Sequence, residues 1–214
     1  MSEMAKYYAE RAQEYERIYA KPERQVELEA LRELSARYFS GLTVVELACG
    51  TGYWTAAIAP TCKSVVGIDI NQEVLDIAAM KPYARDKVQF VCADLYQQPD
   101  LPGPFDGALA AHWWSHVDVR ETARFLEVFH QSLQSGCKIM LLDNMFAPGS
   151  STPISRSDAH GNSYQQRVLD DGTRYEVLKN FPTAAIFARL LDGIATQVQF
   201  TPLQYYWHLS YTLN

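Results

Sequence analysis

Apolar residues along this chain follow two patterns that alternate. Short, nearly continuous apolar runs occupy residues 43–48, 64–70, 88–95, 105–117 and 136–146. Between them lie segments in which apolar residues recur every three or four positions, as on one face of an α-helix. Strands that are apolar on both faces and alternate with helices are typical of a parallel sheet covered on both sides. The pattern predicts an α/β fold with a doubly wound, mostly parallel sheet.

The amino-terminal part of the chain has helical spacing throughout. Residues 3–19 carry tyrosines and alanines on one face, and residues 23–39 carry leucines. Pro22 separates the two runs and suits the first turn of the second helix. We therefore predict an N-terminal helical cap over residues 1–40.

The carboxyl-terminal part changes to an antiparallel pattern. Asp171-Gly172 lies between two alternating runs, which is a strong hairpin signal inside a substrate-side insertion at residues 147–181. Pro182 opens a short helix, and two strands joined near Pro202 end the chain. With the five earlier runs, these two strands give a seven-stranded sheet.

Residues 44–55, VVELACGTGYWT, join a strand to a helix through two glycines. Gly50 and Gly52 can adopt backbone angles closed to other residues, so main-chain N–H groups can approach a ligand, although a tight turn alone would also use them. Asp69 ends the next strand, where an acid can accept hydrogen bonds from ribose hydroxyls. Because Asn71 is a good N-cap for the following helix, we expect Asp69 to serve a ligand.

Composition and charge narrow the class of partner. The 214 residues are 48% hydrophobic and carry a formal net charge of −6, which argues against a nucleic acid as partner and favours a small molecule. The sequence predicts no membrane span and no apolar signal core, so we expect a cytoplasmic protein. Without an interdomain linker or a clustered set of ligating side chains, we expect one domain over residues 1–214 and no metal site.

The ordered motifs resemble those of the class I S-adenosylmethionine-dependent methyltransferases. They are ELACGTG at 46–52, Asp69 after VVGI, ADL at 93–95 and the final pair of strands, and they cover about residues 43–213. The resemblance implies a Rossmann-like methyltransferase fold, S-adenosyl-L-methionine as cofactor and S-adenosyl-L-homocysteine as product. Ala48 stands where a glycine is frequent in the family. The cofactor-binding residues that we predict are Tyr15, Glu46, Ala48, Gly50, Gly52, Asp69, Ile70, Asp94, Leu95, His112 and Trp113.

Two other functions remain as alternatives. A nicotinamide-dependent oxidoreductase also uses a glycine loop and a ribose-binding acid, but its fingerprint needs a third glycine where this chain has Thr55. A noncatalytic domain that binds an adenosyl ligand would share the fold and the motifs.

Methyl transfer needs alignment of the reacting atoms and exclusion of water. A base is needed only when the acceptor is still protonated, and His112 and His116 are the predicted catalytic residues because imidazole titrates near neutral pH. Packing, or orientation of a substrate by hydrogen bonds, is the alternative role for both. Of Trp113 and Trp114, only one can easily face a pocket, because adjacent strand residues point to opposite sides.

The acceptor is predicted only by class. The chain lacks the Asn/Asp-Pro-Pro-Tyr stretch common in relatives that methylate amino groups of nucleic acids or glutamine. With the acidic net charge, this favours a small aromatic or heterocyclic metabolite methylated on oxygen or nitrogen. A lid role for the N-terminal helix is a hypothesis, and a homodimer is left open. The substrate-binding residues that we predict are Tyr8, Tyr19, Trp114, His160 and Phe181.

Overall fold

A computed structural model describes residues 12–84, 86–97, 99 and 101–214, with only the backbone of residues 12–15. The chain enters through a 3₁₀ helix, Ala12–Ala20, and a short 3₁₀ turn, Pro22–Arg24. The strands are β1 Thr43–Leu47, β2 Ser64–Asp69, β3 Val88–Cys92, β4 Gly107–Ala111, β5 Lys138–Asn144, β6 Arg156–Ser157, β7 Ser163–Val168, β8 Arg174–Leu178, β9 Ala195–Pro202 and β10 Tyr206–Leu213. The α-helices are α1 Gln25–Tyr38, α2 Tyr53–Ile58, α3 Gln72–Ala79, α4 Thr122–Gln131 and α5 Ala184–Leu190.

The main sheet confirms the predicted doubly wound architecture. Its seven strands run in the order β3-β2-β1-β4-β5-β10-β9. Strands β1 to β5 are parallel, and β10 is antiparallel to both β5 and β9. The strand order reverses between β1 and β4, and ligands of open α/β sheets bind beside the carboxyl ends of the strands at such a point.

Aromatic side chains from the two faces of the sheet form two core clusters. On one face Phe187 packs against Trp114 and Trp207, with ring centroids 4.6 and 5.3 Å away. On the other face Phe39 and Trp54 pack with the aliphatic side chains of β1 and β5. Burial on both faces explains why the central strands read as continuous apolar runs.

The predicted hairpin belongs to a second, three-stranded sheet of order β6-β7-β8, in which all pairs are antiparallel. Its last strand ends beside a 3₁₀ turn, Trp114–His116, that follows β4. The backbone N–H of Asn180 donates to the carbonyl of Ser115 at 2.8 Å, and its amide Nδ2 donates to the carbonyl of Val117 at 2.9 Å. These bonds bring the residues after β8 to the carboxyl edge of the main sheet.

Neither of two helices beside the site has a side-chain cap, although Asn71 occupies the N-cap position that the sequence predicted. Asn71 occupies the N-cap position of α3, but its side chain makes no capping bond. Helix α4 begins at Thr122 after Glu121 and has no side-chain cap, because the carboxylate of Asp118 binds Arg120 instead. The two bonds to that guanidinium measure 3.0 and 2.7 Å. No helix within the described ranges has the length and apolar character needed to cross a membrane.

We expect the substitution Phe187→Ala to lower the free energy of unfolding by about 3–5 kcal/mol, because it leaves a cavity among buried rings. The ring of Phe187 is fully buried, whereas the side chain of Val26 is 85% exposed on α1. The control Val26→Ala should therefore change stability by less than about 0.5 kcal/mol. Urea unfolding measures both, and equal effects of the two substitutions would contradict this packing.

Candidate functional site

A cleft of about 550 Å³ lies at the carboxyl ends of β1 to β4. We call it the acidic cleft, because four carboxylate side chains line it and none of its described lining residues is Lys or Arg. Its apolar wall includes Ile70, Leu95 and Trp113. Its acidic residues are Asp69, Asp94, Asp118 and Glu121.

The glycine loop supplies the floor of the acidic cleft. Ala48, Gly50 and Gly52 have φ values of 49°, 54° and 73°, the left-handed region that favours glycine. A Cβ on Gly52 would also lie 2.6 Å from the hydroxyl of Tyr83. Backbone angle and space therefore both require glycine at position 52, and Ala48 carries the strain of a non-glycine residue.

Asp69 fixes the loop and faces the cleft. Its Oδ2 accepts the backbone N–H of Gly50 at 2.9 Å, and its Oδ1 accepts that of Asn71 at 3.0 Å. Burial raises the pKa of the Asp69 carboxyl, and these two N–H groups oppose that rise. Asn71 Oδ1 is buried and has no hydrogen-bond partner in the described part of the chain. The acceptors along this wall fit the hydroxyl and amino groups of a nucleoside.

Glu46 lies beneath the loop and is not among the residues that line the cleft. Its Oε2 accepts a hydrogen bond of 2.5 Å from the hydroxyl of Thr55. Burial raises the pKa of Glu46 to about 8, although the bond from Thr55 lowers it. The predicted contact of Glu46 with the cofactor is therefore replaced by a support beneath the loop.

His112 and His116 line both the acidic cleft and a second cavity. His112 has a φ of 58°, and its backbone N–H donates to the carbonyl of Leu142 at 2.7 Å. This turn after β4 sends Trp113 into the cleft wall and Trp114 into the core. The prediction that Trp114 contacts the substrate is wrong, because its ring packs between Phe125 and Phe187.

The second cavity has a volume of about 90 Å³ and adjoins β5, the second sheet and the entry to α1. We call it the basic chamber, because four Lys and Arg side chains line it and none of its described lining residues is acidic. Its aromatic members are Tyr19, Phe181 and Tyr206. Its basic residues are Lys21, Arg24, Arg167 and Lys179.

A buried ion pair supports the wall between the two cavities. Lys179 Nζ lies 3.1 Å from Asp143 Oδ1 and donates to the hydroxyl of Ser115 at 2.5 Å. Burial alone would raise the pKa of Asp143, but the Lys179 ammonium holds it well below its usual range. The backbone N–H of Ser115 also donates to Asp143 Oδ2 at 2.9 Å. Asp143 is therefore ionised and fully engaged.

Asn144 determines the tautomer of His112. Its Oδ1 accepts from Arg24 Nη1 at 2.9 Å, and a guanidinium can only donate, so the amide orientation is fixed. Its Nδ2 then donates to Asp143 Oδ1 at 3.0 Å and to His112 Nδ1 at 3.1 Å. Nδ1 of His112 also lies 3.5 Å from Asp143 Oδ1, but the donating amide of Asn144 is nearer. We therefore assign Nδ1 as the acceptor and place the ring proton on Nε2, a buried atom without a partner among the described residues. Burial lowers the pKa of His112, which keeps the ring neutral.

His116 has the opposite arrangement. Its Nδ1 lies 2.8 Å from the carbonyl of Leu178, which can only accept, so Nδ1 carries the proton of the neutral ring. Burial, together with the nearby Lys179 ammonium, lowers the pKa of His116 to about 3. The two histidines in the shared wall are therefore both neutral and present different nitrogens.

The structure brings together most of the predicted site residues. Tyr19 and Phe181 line the basic chamber, but His160 is exposed on a loop and lines neither cavity, which corrects that prediction. Gly52 shapes the loop without lining the cleft. Tyr8 and the side chain of Tyr15 lie outside the described residues. The predicted cofactor residues that line the acidic cleft are Ala48, Gly50, Asp69, Ile70, Asp94, Leu95, His112 and Trp113.

Sequence reasoning missed the basic chamber. Arg24 and Lys179 are 5% exposed, yet each is a single cation in a segment with no motif. Asp143 is the one residue whose sequence position could have indicated this site, because it is an acid near the end of the apolar run of β5. A buried acid at a strand end indicates that a cation pairs with it, but the spacing of residues does not show which Lys or Arg that cation is.

Comparison of sequences identifies methyltransferases as relatives. The family described as "Methyltransferase domain" matches residues 44–136 of this chain. An uncharacterized methyltransferase of Geobacillus sp. (strain WCH70) is 25% identical over 162 residues, which are 76% of this chain and 73% of that protein.

Comparison of structures finds a shared fold over nearly the whole chain. DhpI in complex with SAH superposes with a TM-score of 0.77 and 24% identity, covering 98% of this chain and 95% of that one. The complex of DhpI with SAM and HEP has a TM-score of 0.77 and 25% identity, covering 96% and 94%. The fold is shared from the amino-terminal helices to the last strand.

The buried Glu46 makes stability depend on pH. Its folded pKa of about 8 exceeds the ordinary value of 4.5, so the folded protein holds a proton that the unfolded chain releases between these values. The stability contributed by protonated Glu46 is complete below pH 4.5 and is lost as the pH rises to 8, by up to about 1.4 kcal/mol per unit. We expect Glu46→Gln to remove this slope in urea unfolding, and the exposed control Glu33→Gln to retain it. A slope unchanged by Glu46→Gln would contradict the buried, protonated state.

The fold, the site and the comparisons agree. The sheet order places a glycine loop and Asp69 beside the reversal of strand order, and the methyltransferase match spans these elements. Residues 44–136 match a methyltransferase domain, and the whole chain has the Rossmann-like methyltransferase fold of proteins solved with SAM or SAH.

Proposed function

We propose that this protein binds S-adenosylmethionine in the acidic cleft and transfers its methyl group to oxygen or nitrogen of a small molecule in the basic chamber. The observation that carries the proposal is the shared wall: His112 and His116 line both cavities. A donor and an acceptor bound on the two sides of this wall would meet there.

The charge of the acidic cleft supports a sulfonium cofactor. Four carboxylates line the cleft; Asp118 and Glu121 pair with Arg120 and Arg124, whereas Asp69 and Asp94 have no Lys or Arg partner among the described residues. A positive sulfur is attracted to these two carboxylates, whereas the pyrophosphate of a dinucleotide would be repelled. This observation disfavours the nicotinamide-dependent alternative. When bound, S-adenosylmethionine supplies a methyl group already activated by its positive sulfur.

The cleft residues would bind the cofactor by its donors and its rings. Asp69 and Asn71 offer acceptors to the ribose hydroxyls, and Asp94 offers one to the adenine amino group. Ile70 and Leu95 provide apolar contacts to the adenine. These roles follow from the family pattern and from the lining of the cleft.

His112 is better suited to donate a hydrogen bond than to accept a proton. Its Nδ1 accepts from Asn144 Nδ2, which leaves a proton on the unpartnered Nε2. An imidazole with this tautomer can donate a hydrogen bond to an oxygen of the methyl acceptor and hold that oxygen beside the shared wall. The role of general base, considered for both histidines, would need the opposite tautomer at His112.

The N-terminal segment would exclude water from the site. Glu16 Oε1 accepts from the hydroxyl of Thr51 at 2.8 Å and pairs with Lys81 at 2.5 Å. Tyr19 stacks on Tyr53 with ring centroids 3.7 Å apart. These contacts hold residues 16–19 over the glycine loop, in a position where they could open and close.

An aromatic or heterocyclic acceptor stays a prediction. The aromatic side chains of Tyr19, Phe181 and Tyr206 support it, whereas the polar lining and the volume of about 90 Å³ favour a compact polar acceptor. The possible homodimer also stays a prediction.

Two measurements test the proposal. Calorimetric titration with S-adenosylmethionine, S-adenosylhomocysteine and NAD should give binding of the first two only. Incubation with methyl-labelled S-adenosylmethionine and a metabolite extract should place the label in the small-molecule fraction. Label confined to protein or nucleic acid would refute the small-molecule acceptor, and binding without any transfer would favour the noncatalytic alternative.

We expect Asp69→Asn to weaken binding of S-adenosylhomocysteine at least tenfold. The substitution keeps the volume of the side chain but removes a charged acceptor of two N–H groups and of the ligand. The matched control is Glu73→Gln, which removes a charge from an exposed position on α3. Calorimetry measures both affinities, and thermal melting verifies that both variants are folded. Unchanged affinity of Asp69→Asn would remove this carboxylate from the cofactor site.

A further inference from the structure

Arg24 is a buried cation without a carboxylate partner in the described part of the chain. Its guanidinium is 5% exposed and donates only to neutral oxygens, those of Ser150, Asn144 and Ser151, at 2.9, 2.9 and 3.3 Å. A buried charge is costly unless an opposite charge compensates for it. The guanidinium also lies over the rings of Tyr205 and Tyr206, 5.3 and 5.7 Å from their centroids, so these neighbours are neutral as well.

Two other cations of the basic chamber reinforce this excess of positive charge. Lys21 donates to the carbonyl of Ser150, and no described carboxylate pairs with it. Lys179 pairs with Asp143, which among the described residues is the buried carboxylate nearest the cations of the chamber. Burial, followed by the proximity of Arg24, lowers the pKa of Lys21, as expected where cations are crowded. This concentration of positive charge is found in a chain whose net charge is −6.

The neutral donors of the basic chamber complete a site for oxygen atoms. Ser150, Ser151, Thr152 and Gln165 line it with hydroxyl and amide groups. His112, in the shared wall, presents the protonated and unpartnered Nε2. Charged and neutral donors that converge on about 90 Å³ match the oxygens of a compact anion.

We propose that the methyl acceptor is a small oxyanion, a compound with a phosphate, phosphonate or carboxylate group, and that Arg24, Lys21 and Lys179 bind this group. The inference rests on the proposed function for the identity of the acceptor, but the anion site itself can be tested without turnover. Because the two cavities have opposite charges, the sulfonium binds in the acidic cleft and the oxyanion binds in the basic chamber.

Calorimetric titration of the full chain with inorganic phosphate, acetate and phenol tests the site, with and without saturating S-adenosylhomocysteine. We expect phosphate or acetate to bind in both states and phenol to bind in neither. The tighter of the two anions distinguishes a tetrahedral group from a carboxylate. Binding of phenol without either anion would overturn the inference in favour of an uncharged aromatic acceptor, and so would the absence of binding by all three.

Matched variants distinguish the effect of the basic chamber on anion binding from the effect of the net charge of the protein. Arg24→Gln and Lys21→Met should each weaken anion binding at least tenfold, because each removes a charged donor from the chamber lining, Arg24 from a buried position and Lys21 from a partly buried one. Arg37→Gln and Lys63→Met remove the same charges from exposed positions and should leave it unchanged. Lys21→Met keeps the test decisive if Arg24→Gln fails to fold. Equal effects of chamber and control variants would overturn the site.

The cofactor proposal and the anion-site proposal can be contradicted separately. Loss of S-adenosylhomocysteine binding with retained phosphate binding would contradict the proposed function alone. Retained S-adenosylhomocysteine binding without anion binding would contradict the oxyanion acceptor alone.

Discussion

The site depends on one buried ion pair, Lys179 with Asp143, whose charged atoms lie 3.1 Å apart. Asp143 belongs to the central strand β5, Lys179 follows β8 of the second sheet, and Ser115 in the turn after β4 binds both. Removing either charged partner would leave an uncompensated buried charge, at a cost of about 3–5 kcal/mol. The pair therefore fixes the second sheet against the carboxyl edge of the main sheet. Through Asn144, it also orients His112.

The two cavities that meet at His112 and His116 differ in charge. Carboxylates line the side built by β1 to β4, and cations line the side built by β5, the second sheet and the residues before α1. Of these charges, Arg24 and Lys179 are buried and are therefore screened less than they would be in water. A positive donor and a negative acceptor would each be attracted to its own side. The neutral histidines between them add no charge to either side.

The sequence predicted more of the residues that line the acidic cleft than of those that line the basic chamber. The glycine loop and Asp69 are close in sequence to the strands that position them, so periodicity and strand ends locate them. Trp113 and Trp114 show the limit of this reasoning, because the positive φ of His112 decides which ring faces the cleft. His160 shows another limit, since a polar residue in a long loop need not reach the cavity that the loop borders.

By itself the sequence determined the order of strands and helices, the seven-stranded sheet and the glycine loop with its acid. These follow from local patterns of burial and backbone freedom, which a chain carries in neighbouring residues. Only the tertiary structure decided the basic chamber, because Lys21, Arg24, Arg167 and Lys179 come from distant segments and converge through packing. It also decided the charge state and tautomer of each histidine, since burial and partners far along the chain set both. The basic chamber is thus a property of the fold, whereas the glycine loop is a property of one continuous stretch of sequence.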